Sequence, residues 1–430
     1  MEKFLIQINK YFINVVLIFA TDSFLAFANV NPTPKVFFKL CMIIGIIIMI
    51  MTDISSSYFG KVHIILNKKK FLLWGILIYL IIASMLVHRE ANIGHLTKIL
   101  VLTFGMFFSE KFQLKAWAYI YIKILSAIAI ISLITFLLYP LISKIKFLPI
   151  ISNGGMDMLC LGLTNISISI GAFFRNWGPF WEPGVYQAYL IIALIFSIKY
   201  LEKNIRYIVL FSITIITTFS TTGYICLILL GAYWLMHSNK MTKPQLFIIL
   251  FAIAGLIFLI LSNPNIIELV FGKFIPNSRF RESLNSRFLS TLANLDIISK
   301  WPLIGVGLTR LNIFVFEFMH KHNVLTYSNT NGLLMNFSVY GILFGMLYWI
   351  MIYKFCKSVE KHLLTRSVLF LCICILLCTE PFLQSVLFNT IIFYGISDVY
   401  RNRKKSTEMK IENEKTKSFM VNKYNSRKCM

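Results

Sequence analysis

The run Phe71-Leu72-Leu73-Trp74-Gly75-Ile76-Leu77-Ile78-Tyr79-Leu80-Ile81-Ile82-Ala83-Ser84-Met85-Leu86-Val87 lies between Lys68-Lys69-Lys70 and His88-Arg89-Glu90, and its reading decides the fold. An uncharged apolar run of this length suits a membrane crossing, and the lysine triplet marks its cytoplasmic end. Similar runs lie near 11–28, 36–52, 98–109, 117–139, 184–200, 207–220, 222–236, 245–262, 330–353, 367–379 and 382–397. The chain as a whole agrees: 57% of its residues are apolar, 14% are charged, and mean hydropathy is +0.74. A soluble core cannot hide that much apolar side chain, so a soluble enzyme is excluded.

The expected class is therefore an all-α integral membrane protein of about twelve transmembrane helices. Roughly twice as many Lys and Arg fall on the side of the two termini as on the other, which places both termini in the cytoplasm. Reading 207–236 as one span, rather than two broken at Ser220-Thr221-Thr222-Gly223, would put the basic tail outside. The formal charge of +24 thus reads mainly as topology, and no nucleic-acid partner is expected. The cysteines sit mainly inside apolar runs and read as small buried hydrophobes. Residues 1–397 form the membrane domain, and 398–430 read as a basic, disordered cytoplasmic tail attracted to anionic lipid.

Two connections, 140–183 and 263–329, are too long for turns and share the external face, where chemistry is to be sought. The first ends in Arg175-Asn176-Trp177-Gly178-Pro179-Phe180-Trp181-Glu182-Pro183-Gly184-Val185-Tyr186-Gln187. Arg175 suits a phosphate or pyrophosphate through its planar fork, Trp177 and Trp181 suit sugar rings, and Glu182 precedes a first-turn proline. Interfacial anchoring by Trp and Arg, with Glu182 capping its helix, accounts for the same residues equally well. The second connection carries Arg279, Arg281, Arg287 and Arg310 on the face where positive charge is disfavoured. Anionic substrate or lipid phosphate would each explain them. It ends in His320-Lys321-His322-Asn323, where His322 suits a general base. A zinc site lacks its further ligands, and no metal or cofactor is expected. Asp22 and Lys123 stand inside predicted spans, as a pair across the bundle or as structural residues, with Lys123 near enough to an end to snorkel.

Three stretches resemble the bacterial O-antigen polymerases of the wider O-antigen polymerase and ligase superfamily. They are Arg175 to Gln187 with its Glu-Pro-Gly, the polar break Phe219-Ser220-Thr221-Thr222-Gly223-Tyr224, and His322-Asn323 followed by Gly341-Ile342-Leu343-Phe344-Gly345. Gly305-Val306-Gly307 lies upstream of the last. The resemblance implies a GT-C-like, lipid-dependent glycosyltransferase of the bacterial inner membrane, with two large periplasmic loops. It would join undecaprenyl-pyrophosphate-linked repeat units and release undecaprenyl pyrophosphate. Arg175, Arg279, Arg281, Arg287 and Arg310 would then hold pyrophosphate, Trp181 a sugar, and Glu182 or His322 the acceptor proton. Membrane lipids, and a chain-length regulator and flippase of the same pathway, would be its partners. The alternatives are a ligase that transfers finished glycan to lipid A core, a repeat-unit transporter, and a structural partner in an assembly complex.

Overall fold

The computed structural model describes residues 2–27, 32–58, 67–142, 144–145, 150–153, 156–161, 164–167, 175–201, 204–237, 281–322, 324 and 329–396. The predicted span 245–262, Arg279, Asn323 and the tail 398–430 lie outside them. In chain order the helices are α1 Glu2–Phe19, α2 Phe24–Phe27, α3 Pro32–Tyr58, α4 Lys68–His88, α5 Ile93–Lys111 and α6 Leu114–Ile142. A four-stranded antiparallel sheet follows, β1 Ile150–Asn153, β2 Met156–Cys160, β3 Asn165–Ser167 and β4 Asn176–Gly178, in sequential order. Next come α7 Pro183–Tyr200, α8 Ile205–Thr217, α9 Thr221–His237, α10 Arg281–Lys300 and α11 Leu308–Lys321. The chain then forms α12 Gly332–Tyr340, α13 Ile342–Val359, α14 Leu363–Thr379, a 3-10 turn at Phe382–Gln384, α15 Val386–Ile391 and a second 3-10 turn at Ile392–Gly395.

The apolar surface marks a multi-pass membrane protein. Helix α4 buries Leu73, Leu77, Ile81 and Ser84 on one stripe, while Leu72, Tyr79 and Leu86, seven residues apart on the opposite stripe, are 62–73% exposed. A helix apolar on both faces is stable only where lipid replaces water on the outer one. Five helices are long and apolar enough to cross: Lys35–Thr52 within α3, and α4, α6, α7 and α13. Shorter apolar helices cover Asn9–Phe19, Ile205–Thr217, Thr221–Met236, Leu363–Thr379 and Val386–Gly395. Helix α7 is the axis of the bundle, with every residue from Pro183 to Ile198 buried.

Several predicted spans are interrupted. Expected span 11–28 breaks at Thr21–Ser23, where the Asp22 carboxylate accepts hydrogen bonds from Tyr189 Oη at 2.6 Å and from Ser385 Oγ. Asp22 does not pair with Lys123, which is exposed. Expected span 330–353 breaks at Gly341, whose φ of +88° requires glycine, since a Cβ there would stand 2.0 Å from Leu303 O. The break is held from outside the helix: Ile342 N donates to Pro302 O, Val306 N to Ser338 O and Gly307 N to Val339 O. The Gly305-Val306-Gly307 and Gly341 segments thus meet as one backbone junction. Where 382–397 read as one span, the chain forms two 3-10 turns around the short α15. Lys98 anchors this region, its ammonium donating to Asn336 Oδ1 at 3.1 Å, Leu383 O at 2.6 Å and Asn389 Oδ1 at 2.7 Å.

Candidate functional site

The segment that ends the first long connection is fixed on both sides. Asn176, at the start of β4, donates to Ser132 Oγ of α6 at 3.2 Å and to Thr217 Oγ1 of α8 at 3.0 Å. Phe24 N donates to Pro179 O at 2.9 Å, and Ser23 bridges Phe180. This clamp sets Arg175 against the end of α8. Its Nε donates to Thr218 O at 2.9 Å and its Nη2 to Phe219 O at 3.1 Å. Phe219 has a φ of +47°, so the polar break between α8 and α9 turns through a left-handed residue whose carbonyl is held by the guanidinium.

Glu182 occupies the N-cap position of α7 with Pro183 in the first turn, yet its side chain makes no capping hydrogen bond. The carboxylate instead stands 3.9 Å from Arg287 Nη2. Arg287, on α10, spans from there to the end of α14, donating through Nη1 to Thr379 O at 2.6 Å and pairing through Nη2 with Glu380 Oε1 at 3.4 Å. Glu380 is almost fully enclosed, with 2% of its side chain exposed against 29% for Glu182. Gly184 allows that approach, because a Cβ on it would lie 1.9 Å from Glu380 Oε1. Four separate elements thus bring Arg175, Glu182, Arg287 and Glu380 into one electrostatic group.

The two cations differ in their surroundings. Burial holds the Arg175 guanidinium below its ordinary value, with Glu182, Tyr224 and Glu380 acting in the other direction. Burial presses on Arg287 as well, but Glu380 and Glu182 outweigh it and the value is raised. Among the described residues no carboxylate lies within ion-pair distance of Arg175, so Arg287 is the neutralised cation and Arg175 the exacting one. Formally the four side chains cancel.

The remaining expected site residues fall elsewhere or outside view. Trp177 is buried and packs with Phe24 and Cys160 as core, while Trp181 is half-buried against that cluster. Arg281 begins α10, but its side chain is outside the described residues, as is all of Arg279. Arg310 is exposed on α11. His322 ends α11, also exposed, with its ring 4.8 Å from that of Phe318. Among the described residues no hydrogen bond or ion pair joins Arg310 or His322 to the group around Arg287, and no three His, Cys, Asp or Glu side chains converge as metal ligands would.

Sequence reading overlooked Glu380. The signal was present: Glu380-Pro381 repeats the Glu182-Pro183 dipeptide at the edge of another apolar run. Comparison of the chain with protein-family models, curated proteins and solved structures finds no match. The functional reading therefore rests on the residues themselves.

Proposed function

We propose that this chain is a glycosyltransferase with lipid-linked donors, of the O-antigen polymerase kind, joining undecaprenyl-pyrophosphate-linked repeat units on the periplasmic face of the inner membrane. The observation that carries the reading is the convergence of Arg175 and Arg287 with Glu182 and Glu380 on a membrane bundle. The topology that goes with it has twelve crossings, both termini cytoplasmic, and connections 140–183 and 263–329 outside.

The reaction forms a bond between an acceptor hydroxyl oxygen and the anomeric carbon of the donor, and breaks the bond from that carbon to the pyrophosphate oxygen. The electron pair leaves with the pyrophosphate, and the hydroxyl proton must go to a base. Glu182 suits that part as the more open of the two carboxylates, with Glu380 keeping Arg287 oriented. When Glu182 takes the proton, the group gains one unit of positive charge just as the leaving oxygen gains negative charge. Arg175 holds two backbone carbonyls through Nε and Nη2, and its planar fork suits a phosphate that replaces them. His322 serves as base in this scheme only if α11 is brought to the group.

The test is a lipopolysaccharide gel from a deletion strain complemented with wild type, Arg175→Ala, Glu182→Gln or Glu380→Gln. A polymerase gives a ladder that collapses to core plus one repeat and is restored by wild type alone, with all variants present in the membrane. Loss of every repeat while lipid-linked polymer accumulates would identify a ligase. An unchanged ladder would end the glycan reading.

A further inference from the structure

Gln187 closes the stretch that begins at Arg175, and none of the roles above uses it. It lies one helical turn beyond Gly184, the residue that meets Glu380, and so faces inward from the same side of α7. The side chain is completely buried, and neither its Oε1 nor its Nε2 has a hydrogen-bond partner among the described residues. The amide points at the first turn of α9, where a Cβ on Gly223 would stand 2.2 Å from Oε1. Leucine or methionine would fill this volume without burying an unsatisfied donor and acceptor, so the amide is a standing cost to the resting fold. Such a cost is explained by a partner that arrives.

The chemistry of the amide limits that partner. A phosphate oxygen accepts hydrogen bonds and would leave Oε1 unserved, whereas a hydroxyl both donates and accepts. The neighbouring guanidiniums already suit the phosphates. We infer that Gln187 is a specificity residue that binds a ring hydroxyl of the donor sugar next to its phosphate, an inference that rests on the glycosyltransferase reading above. Access is coupled to phosphate binding. Arg175 holds the carbonyls of Thr218 and Phe219, immediately before the turn of α9 that covers Gln187. A phosphate that draws the guanidinium away releases those carbonyls, and the turn moves off the amide. The sugar site therefore opens only when the anion site is engaged.

The experiment uses the full chain in lipid nanodiscs, with inorganic pyrophosphate and a panel of hexose 1-phosphates (gluco, galacto and manno) as probes, followed by isothermal titration calorimetry. Gln187→Met is expected to weaken the preferred hexose 1-phosphate at least about tenfold, the effect of losing the two hydrogen bonds that the hydroxyl exchanges with the amide. It should leave pyrophosphate within twofold, and the unliganded protein should melt at the same temperature or higher. Arg175→Ala should lose both probes. A Gln187→Met protein that binds the hexose 1-phosphate as wild type does, that loses pyrophosphate equally, or that melts lower without ligand overturns the assignment, the last because the amide would then be structural, served by water. Wild-type protein that binds neither probe overturns the glycosyltransferase reading and this inference with it, a result distinct from the other three.

Discussion

Replacing Arg287 with alanine should separate what holds the charged group together from what performs its chemistry. The change removes a charge-assisted hydrogen bond to Thr379 O at 2.6 Å and takes the cation from Glu380, a carboxylate with 2% of its side chain exposed. Breaking a buried pair from one side costs about 3–5 kcal/mol. Because a fifth of the Arg287 side chain reaches solvent, the lower figure applies, a shift of roughly a hundredfold in the folding equilibrium. Glu182 stands 3.9 Å away and 29% exposed, so Glu182→Gln should cost no more than about 0.5 kcal/mol while abolishing the ladder. Replacing Arg287 and Glu380 together by methionine should recover most of the stability, since no stranded charge remains. The assay is reversible unfolding in mixed micelles titrated with dodecyl sulfate. An Arg287→Ala protein within about 1 kcal/mol of wild type, or a Glu182→Gln protein as unstable as Arg287→Ala, would refute the division of roles.

Three other outcomes are expected. Glu90 accepts from His95 Nε2 at 3.0 Å and from Leu308 N at 2.9 Å, and although its burial alone would raise its value, these bonds and those from Thr309 and Arg310 hold it below the ordinary 4.5. Because the folded value is depressed, its contribution is present above 4.5 and lost as pH falls through the folded value, so α11 should loosen in acid. Emission of Trp301, packed on Phe314 at 4.6 Å, should change between pH 6 and 3 in wild type and stay flat in Glu90→Gln; superimposed curves would count against a role for Glu90 in holding α11. Gly341→Ala puts a Cβ 2.0 Å from Leu303 O at a φ of +88°, and should abolish the monodisperse peak in size-exclusion chromatography of the detergent extract. Lys98→Met strips the donor from Asn336 Oδ1 and Asn389 Oδ1, while Leu383 O keeps Asn389 Nδ2 at 3.2 Å. Two unserved buried oxygens should cost about 2–5 kcal/mol, read as a lower melting temperature in nanodiscs.

Hydropathy and flanking charge made most helices legible. Helix α4 runs from Lys68 to His88 where 71–87 was expected, and α7 starts at Pro183 because a first-turn proline states its own boundary. The interruptions were not legible, because averaging over a window treats Gly341 as one more apolar residue while the backbone treats it as a corner. The sheet between α6 and α7 escaped for a related reason: strands of three to five residues give too few alternations to stand out in an apolar stretch. At the site, Arg175 and Glu182 were legible as chemistry in one motif, and Arg287 as a cation on a disfavoured face. What the chain could not disclose was pairing. Glu380 and Arg287 are separated by 93 residues and meet because α12 packs against both α10 and α14. Lys98, the first residue of the expected span 98–109, is fully buried and holds acceptors that lie more than two hundred residues away in the chain.

The burial of α7 bears on how the protein is made. Of the five crossing helices it has the lowest hydropathy, 1.2, while 89% of it is buried inside the protein. A nascent segment like this leaves the translocon into lipid with little thermodynamic encouragement, and its tyrosine hydroxyls find Ser132 and Asp22 only after α6 and the N-terminal helices are in place. Its final partners, α9 and α14, are synthesised later still. Biogenesis must therefore shelter the helix bearing the Glu-Pro-Gly motif until the last third of the chain emerges, and truncations ending soon after Tyr200 should be recognised by quality-control proteases as orphaned spans.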